Sequence, residues 1–298
     1  MLLIAGGDRD PNIGSILSRA GERGIAAEAL LVGAGANPAV TWDFQADRLL
    51  LDGRDVAPTA AFLRYDVFTN LADPRPETGY RAQTWYTTLY GWLLAHPVRI
   101  MNRKYGGQMN KPFMLQRARE AGLEIPHTLV TNELDRLEKE AAGEERIVKP
   151  VTGGGYTQML SAVLEGTERR EGKSAAPAIV QRRLVAPEIR VYAVGDAAGR
   201  RFEAFHVRSE QLDYRVDKST EVVHLPLTDV APEVTAGLGR LMDLLEMDYG
   251  AADFKTDPET GRLVFLEVNS SPMFVAFDAV SGHAVSDSIL DYVLRDGA

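Results

Sequence analysis

Two strand-like runs, residues 250–256 and 263–268, flank Asp257-Pro258-Glu259-Thr260-Gly261, and this pairing constrains the chain more than any other stretch. Asp-Pro leading to Gly is a strong turn signal, so the segment reads as a β-hairpin. Side chains alternate faces along a strand, so Glu267 and Asn269 project to one side, about 7 Å apart. With the hairpin centred on Glu259, Asp253 lies opposite Phe265 and shares that face. Two carboxylates and a carboxamide form an oxygen-only ligand set suited to a hard cation such as Mg²⁺, with Mn²⁺ as an alternative. Such ions are commonly shared with nucleotide phosphates. The turn Ser270-Ser271-Pro272 stops the strand and leaves its ligand-bearing end at a cleft. A solvated polar face on an edge hairpin is the competing reading of the same residues.

The chain around this hairpin is long enough for two or three cores: 298 residues, 45% hydrophobic and 25% charged, values of an ordinary globular protein. A formal net charge of -9 disfavours unaided nucleic-acid binding, which needs clustered Lys and Arg. There is no cysteine, so disulfides, thiolate metal sites and cysteine nucleophiles are excluded. The opening Met1-Leu-Leu-Ile-Ala-Gly-Gly reads as a first strand and not a secretory leader, and no apolar run approaches the roughly 20 residues of a bilayer span. A cytoplasmic enzyme is expected, with self-association left open.

Residues 1–98 alternate short apolar runs with helical spacing. Leu2 to Ala5 reads as a strand, Gly6-Gly7-Asp8 as a turn, and Ile13, Ile16, Leu17 and Ala20 as one face of a helix. Further strands are expected near residues 29–32, 48–51 and 61–65, which makes this part a small α/β domain. Trp85, Leu89, Trp92 and Leu93 form a stripe more consistent with core than with a ligand box. A boundary falls near residue 98. In residues 99–177, Asn110 reads as the N-cap of a helix that Gly122 closes, and residues 146–149 as a strand. Ala175 to Pro177 reads as a link to a third part, residues 178–298, of alternating strands and one helix from about Pro232 to Leu245.

Two further stretches carry chemistry. Lys149 ends a strand and is followed by Gly153, Gly154 and Gly155, placing a fixed cation beside backbone amides that can approach phosphate oxygens. Glu188 and Arg190 sit two apart on a strand and share a face, pairing a ribose-type acceptor with a phosphate-type donor. Arg208 and Arg215 add cations from the same region. The five histidines show no metal-binding spacing; His206 and His283 are the ones considered for acid–base work.

The ordered set Asn110-Lys111, Lys149 before a glycine-rich loop, Glu188-Ile-Arg190, Asp253 and Glu267-Val-Asn269 resembles the ATP-grasp superfamily. Within it, the chain is similar to the branch holding ribosomal-protein glutamate ligases and the ligases that macrocyclise graspetide precursors. The resemblance implies an α/β fold of α+β lobes, with a Rossmann-like pre-ATP-grasp domain before the ATP-grasp lobes. It implies that Lys111 and Lys149 contact ATP phosphates, that the backbone of Gln181, Arg182 and Leu184 faces adenine, and that Glu188 binds ribose. Asp253, Glu267 and Asn269 would hold magnesium, while Arg190 and Arg215 would steady the transferred phosphate. The segment ending Asp213-Tyr214-Arg215 is similar to the Asp-Trp-Arg stretch of the peptide-cyclising ligases, with Tyr in place of Trp. The implied activity is ATP-dependent ligation of a peptide or amino-acid carboxylate to an amine or hydroxyl through an acyl phosphate. A small-molecule kinase and a non-catalytic ATP-binding module are the alternatives.

Overall fold

The computed structural model describes residues 1–33, 35–105, 110–140, 144–152, 155–212 and 219–295. The N-terminal part contains β1 (Leu2–Gly7), α1 (Pro11–Glu22), β2 (Ala27–Val32), β3 (Val40–Asp43), β4 (Arg48–Leu51), β5 (Arg54–Asp55), β6 (Ala60–Leu63), α2 (Val67–Ala72), α3 (Pro76–Ala95) and β7 (Arg99–Ile100). Its main sheet is parallel, in the order β2-β1-β6-β7, and β3, β4 and β5 form a small antiparallel sheet beside it. The middle part follows helix α4 (Lys111–Glu120) with β8 (Thr128–Glu133), α5 (Leu134–Glu140), β9 (Arg146–Pro150), β10 (Gln158–Met159), α6 (Leu160–Gly166) and β11 (Lys173–Arg182). Its strands run in the order β10-β9-β11-β8. The C-terminal part holds β12 (Val185–Val194), β13 (Arg201–Arg208), β14 (Glu221–Leu225), α7 (Pro232–Leu244), β15 (Tyr249–Thr256), β16 (Leu263–Asn269), α8 (Val275–Val280) and α9 (Ala284–Leu294). Its sheet is antiparallel, in the order β14-β13-β12-β15-β16. No helix among the described residues is long and apolar enough to cross a membrane.

Local chemistry explains several element ends. Asp10 caps α1 by accepting the Asn12 amide at 2.8 Å, with Pro11 pre-set in the first turn. Asn110 caps α4 through the Phe113 amide at 3.0 Å, as its position in the sequence predicts. Gly6 and Gly7, read as a turn, instead lie inside β1. A Cβ on Gly7 would fall 2.4 Å from Asp66 Oδ1, and one on Gly6 2.8 Å from Ile13, so these glycines serve close packing. Ala175 to Pro177 lies inside β11 and is not a link. The pairing with β8 shifts between Lys173 and Ala178, an irregularity that accommodates a residue without an N–H. The chain passes to the C-terminal sheet through Arg183 and Leu184 instead.

The five-stranded sheet is the spine. One face, with Ile189, Val191, Ala252, Phe254, Phe265 and Val268, packs on α4 and α7. Part of the other face, with Tyr192, Val194, Phe205 and Tyr249, packs on β1, β6 and α1 of the N-terminal part and on α8 and α9. Packing α4 beneath this sheet ties it to the C-terminal part, although it follows β7 in the chain. The stripe residues Leu89, Trp92 and Leu93 are buried in the N-terminal core, as read.

The β15–β16 hairpin departs from the expected register. Asp253 pairs with Glu267, not Phe265, and Phe254 pairs with Phe265; between these pairs Leu266 is an extra residue on β16. This β-bulge inverts the facing of β16. Phe265 meets Phe254 in the α4-side core with ring centroids 5.6 Å apart, yet Glu267 two residues later turns to the opposite face with Asp253. The outer edge of β16 is covered: the Phe265 amide donates to Glu124 O at 2.8 Å, and the Val268 amide to Met114 Sδ at 3.3 Å.

Gly7→Ala should destabilise the protein by about 1–3 kcal/mol through overpacking against Asp66. Gly14→Ala on exposed α1, where a Cβ meets nothing within 4 Å, should stabilise it by about 0.4–1 kcal/mol. Urea denaturation of the two variants checks both signs.

Candidate functional site

The charged residues singled out from the sequence line up in two rows across three strands. On β12, Glu188, Arg190, Tyr192 and Val194 alternate on one face, so the same face is polar at one end and joins the N-terminal core at the other. In the first row, Arg190 pairs with Asp253 on β15, and Asp253 with Glu267 on β16. In the second, Glu188 pairs with Lys255. A register shift between Val185 and Glu188, over the cis Ala186-Pro187 bond, brings Glu188 and Arg190 opposite these partners. Asn269 faces the same side, opposite the small Ala251.

Ion pairs fill both rows. Arg190 Nη1 donates to Asp253 Oδ1 at 3.1 Å and Oδ2 at 3.3 Å, with side chains 6% and 8% exposed. Its guanidinium also lies over the rings of Phe277 and Tyr192, 5.3 and 5.5 Å from their centroids. Lys255 Nζ lies 3.0 Å from Glu188 Oε2 and donates to Leu212 O at 3.2 Å. Lys111, the first residue of α4, reaches Glu267 Oε2 at 3.5 Å.

Lys149 comes from the middle sheet, paired with Ile179 and so on one face with Ile147 and Gln181. Burial lowers its ammonium pKa; Glu267 and Asp253 oppose this, while Lys111 and Lys255 add to it. Burial pushes the Asp253 carboxyl up to about 7, against the pull of Arg190 and Lys149 and with help from Glu267 and Glu188. Burial likewise raises Glu188, opposed by Lys255, Lys149 and Arg190. Four cations and three carboxylates therefore sense one another at a single place where the middle and C-terminal sheets meet.

The donor set fits a hard divalent cation. Asp253 and Glu267 oppose each other directly; Arg190 and Lys111 beside them offset part of the repulsion, and a bound divalent ion would offset more. The third donor is an amide oxygen, Asn269, which faces the same side as the two carboxylates. Among the described residues no group of three His, Cys, Asp or Glu side chains is placed to hold a metal ion.

The remaining expected residues lie outside the two rows. The Gln181 side chain is buried at 1% exposure, donates to Thr128 Oγ1 at 3.1 Å, and has no partner for Oε1. Arg182 turns its side chain to Glu144, Asp257 and Glu259, bridging the middle sheet to the hairpin turn, and its amide donates to His127 O. Leu184 is buried where the chain crosses between the sheets, and Gly155 packs close to Pro150. Gly153, Gly154 and Arg215 lie outside the described residues. His206 pairs with Ile189 and takes the α4 and α7 face, opposite the charged rows, while His283 lies at the start of α9 beside Asp278. Neither histidine reaches the site.

No protein-family profile matches the sequence, and no curated protein matches it. Solved structures do. The ATP-grasp ligase PsnB, complexed with a minimal precursor, Mg and ADP, aligns with a TM-score of 0.74 at 24% identity, covering 99% of this chain and 98% of that one. The macrocyclase MdnC from Microcystis aeruginosa MRC, bound with precursor peptide MdnA, gives 0.74 at 18% identity, covering 99% of each. The VanG D-Ala:D-Ser ligase from Enterococcus faecalis gives 0.63 at 14% identity, covering 98% and 97%. At these identities the likeness is one of fold, and it extends over nearly the whole chain.

Lys255 is the site residue that sequence reasoning passed over, although its spacing of two from Asp253 was a visible signal. Lys255→Met leaves the buried Glu188 carboxylate without its partner and should destabilise the protein by about 1–3 kcal/mol, and Lys255→Arg should retain most of the stability. Urea denaturation that finds Lys255→Met as stable as the parent chain would show that this ion pair does not hold the charged rows together.

Proposed function

Starting from the ATP-grasp fold shared with these ligases, we propose that the protein is an ATP-dependent, ADP-forming carboxylate ligase that joins a peptide carboxylate to an amine or hydroxyl through an acyl phosphate. The observation that carries this reading is the pair of charged rows, Arg190–Asp253–Glu267 and Glu188–Lys255, meeting Lys111 and Lys149 from two other elements.

The chemistry follows from charge. Phosphorylating a carboxylate brings two anions together, so positioned cations must offset their repulsion. Lys111 and Lys149 suit the nucleotide phosphates, and Glu188 the ribose hydroxyls. Arg190, buried and held by Asp253, presents a fixed donor to the transferred group. Asp253, Glu267 and Asn269 would hold Mg²⁺, which when bound supplies charge neutralisation of the phosphates. The backbone of Gln181, Arg182 and Leu184 would face the adenine. Arg215 belongs to this proposal from the sequence resemblance alone, as do Gly153 and Gly154.

A peptide substrate is favoured by the neighbours solved with precursor peptides, PsnB and MdnC, which align at a TM-score of 0.74, against 0.63 for the D-Ala:D-Ser ligase. A cytoplasmic setting and the division into residues 1–98, 99–177 and 178–298 are part of the same reading, with self-association left open. The second boundary is better drawn at 183–184, where β11 gives way to β12.

The test is nucleotide consumption with candidate acidic peptides. Release of ADP and phosphate with a condensed, dehydrated peptide is expected. Glu267→Gln and Asp253→Asn should each lower turnover at least about 100-fold, the scale of losing one preorganised electrostatic group. ADP with a stable phosphorylated product would instead establish a kinase, and no turnover with tight ATP binding a regulatory module.

A further inference from the structure

The strand that carries Glu267 and Asn269 ends at Asn269, and the next five residues are held largely by side chains from elsewhere in the chain. Asn102, just past β7, donates from Nδ2 to Ser270 O at 2.9 Å and to Tyr249 O at 2.8 Å. Its Oδ1 accepts the amides of Asp248 and Tyr249, both at 2.9 Å. One side chain therefore staples the start of β15 to the end of β16, closing the open end of the ligand hairpin. Asn102 holds this pose at a φ of +56°, a left-handed conformation that asparagine tolerates better than most residues.

A second anchor comes from the N-terminal sheet. Arg64, at the end of β6 and 4% exposed, donates from Nη1 to Pro272 O at 2.9 Å and to Ser271 Oγ at 3.2 Å. Its Nε donates to Asp10 Oδ2 at 2.8 Å. The other oxygen of Asp10 accepts from the amide and side chain of Asn12, whose Oδ1 in turn accepts the Phe274 amide at 2.8 Å. From the sheet itself, Tyr192 donates its hydroxyl to Met273 O at 2.5 Å.

A buried ion pair contributes little net stability compared with a well-packed apolar substitute, but it fixes geometry when its bonds are all made. Here the bonds converge on the one loop that follows Asn269, a donor whose placement a hard cation reads closely. We infer that Asn102 and the Arg64–Asp10–Asn12 network are positioning residues for the cation site, so that the N-terminal part sets the orientation of Asn269 and Glu267 from a distance. This inference rests on the ligase reading for the identity of the site, and it assigns these residues no contact with substrate.

The experiment separates the metal-dependent part of nucleotide binding from the rest. ADP affinity is measured calorimetrically on the full chain with excess Mg²⁺ and again with EDTA, and Mn²⁺ binding in the presence of ADP is followed by electron paramagnetic resonance. For Asn102→Ala the expected result is a loss of about 10–100-fold in Mn²⁺ affinity, the range for residues that orient metal ligands. ADP affinity in EDTA should stay within about twofold of the parent. Arg64→Lys, which can keep Asp10 or Pro272 O but not both, should show the same selective loss and serves if Asn102→Ala does not fold. Retained Mn²⁺ affinity in a folded variant, or equal losses with Mg²⁺ and with EDTA, would overturn the inference. Absence of any Mg²⁺-dependent ADP binding in the parent chain would instead bring down the ligase reading, and this inference with it.

Discussion

The arrangement of the site depends on one extra residue. Without the bulge at Leu266, strict alternation along β16 from Phe265 would carry Glu267 into the core beside Phe254 and turn Leu266 toward Asp253. A buried glutamate without a partner would oppose that packing strongly. The bulge resolves the conflict by letting Phe265 and Val268 stay with α4 and α7 while Glu267 and Asn269 face the cleft. The two rows of charge across the sheet follow from this single irregularity and from its counterpart on β12, between Val185 and Glu188.

The same sheet face serves two purposes along its length. Toward Tyr192 and Tyr249 it is an apolar surface shared with the N-terminal part; toward Glu188 and Lys255 it is charged and meets Lys149. Arg190 stands at the border, its guanidinium against Phe277 on one side and Asp253 on the other. Low polarity from the neighbouring core strengthens every charge interaction at that border and leaves the Asp253 carboxyl near 7. Position in the fold, more than the identity of any one side chain, makes this cluster chemically unusual.

Much of this was legible in the amino-acid order. The turn at Asp257 to Gly261, the period-two spacing of Glu188 with Arg190 and of Glu267 with Asn269, and the cap at Asn110 are local signals, and each appears where it was read. The ATP-grasp architecture was also accessible, because the spaced set of charged residues is rare in combination. What local reading missed was non-local. A bulge needs knowledge of the partner strand, so Asp253 was set opposite Phe265. The glycines of β1 looked like a turn because the contacts that require them, Ile13 for Gly6 and Asp66 for Gly7, arise only once α1 and the chain after β6 pack on the strand. Ala175 to Pro177 looked like a link because a charged, turn-rich stretch precedes it, whereas pairing with β8 draws the whole of Lys173 to Arg182 into one irregular strand. Short elements such as β14 and α8 carry too few residues for a periodic signal and take their form from the sheet they join.

The covered edge of β16 has a bearing on how the chain behaves in a crowded solution. A strand at the border of a sheet ordinarily offers a ladder of unused donors and acceptors to any passing extended peptide, including another copy caught part-way through folding. Here the Phe265 amide is spoken for by Glu124 and the Val268 amide by the Met114 sulfur. The hairpin that holds Asp253 and Glu267 is thereby made a poorer template for intermolecular β-pairing, and the helix that places Lys111 beside Glu267 also supplies part of that protection against aggregation.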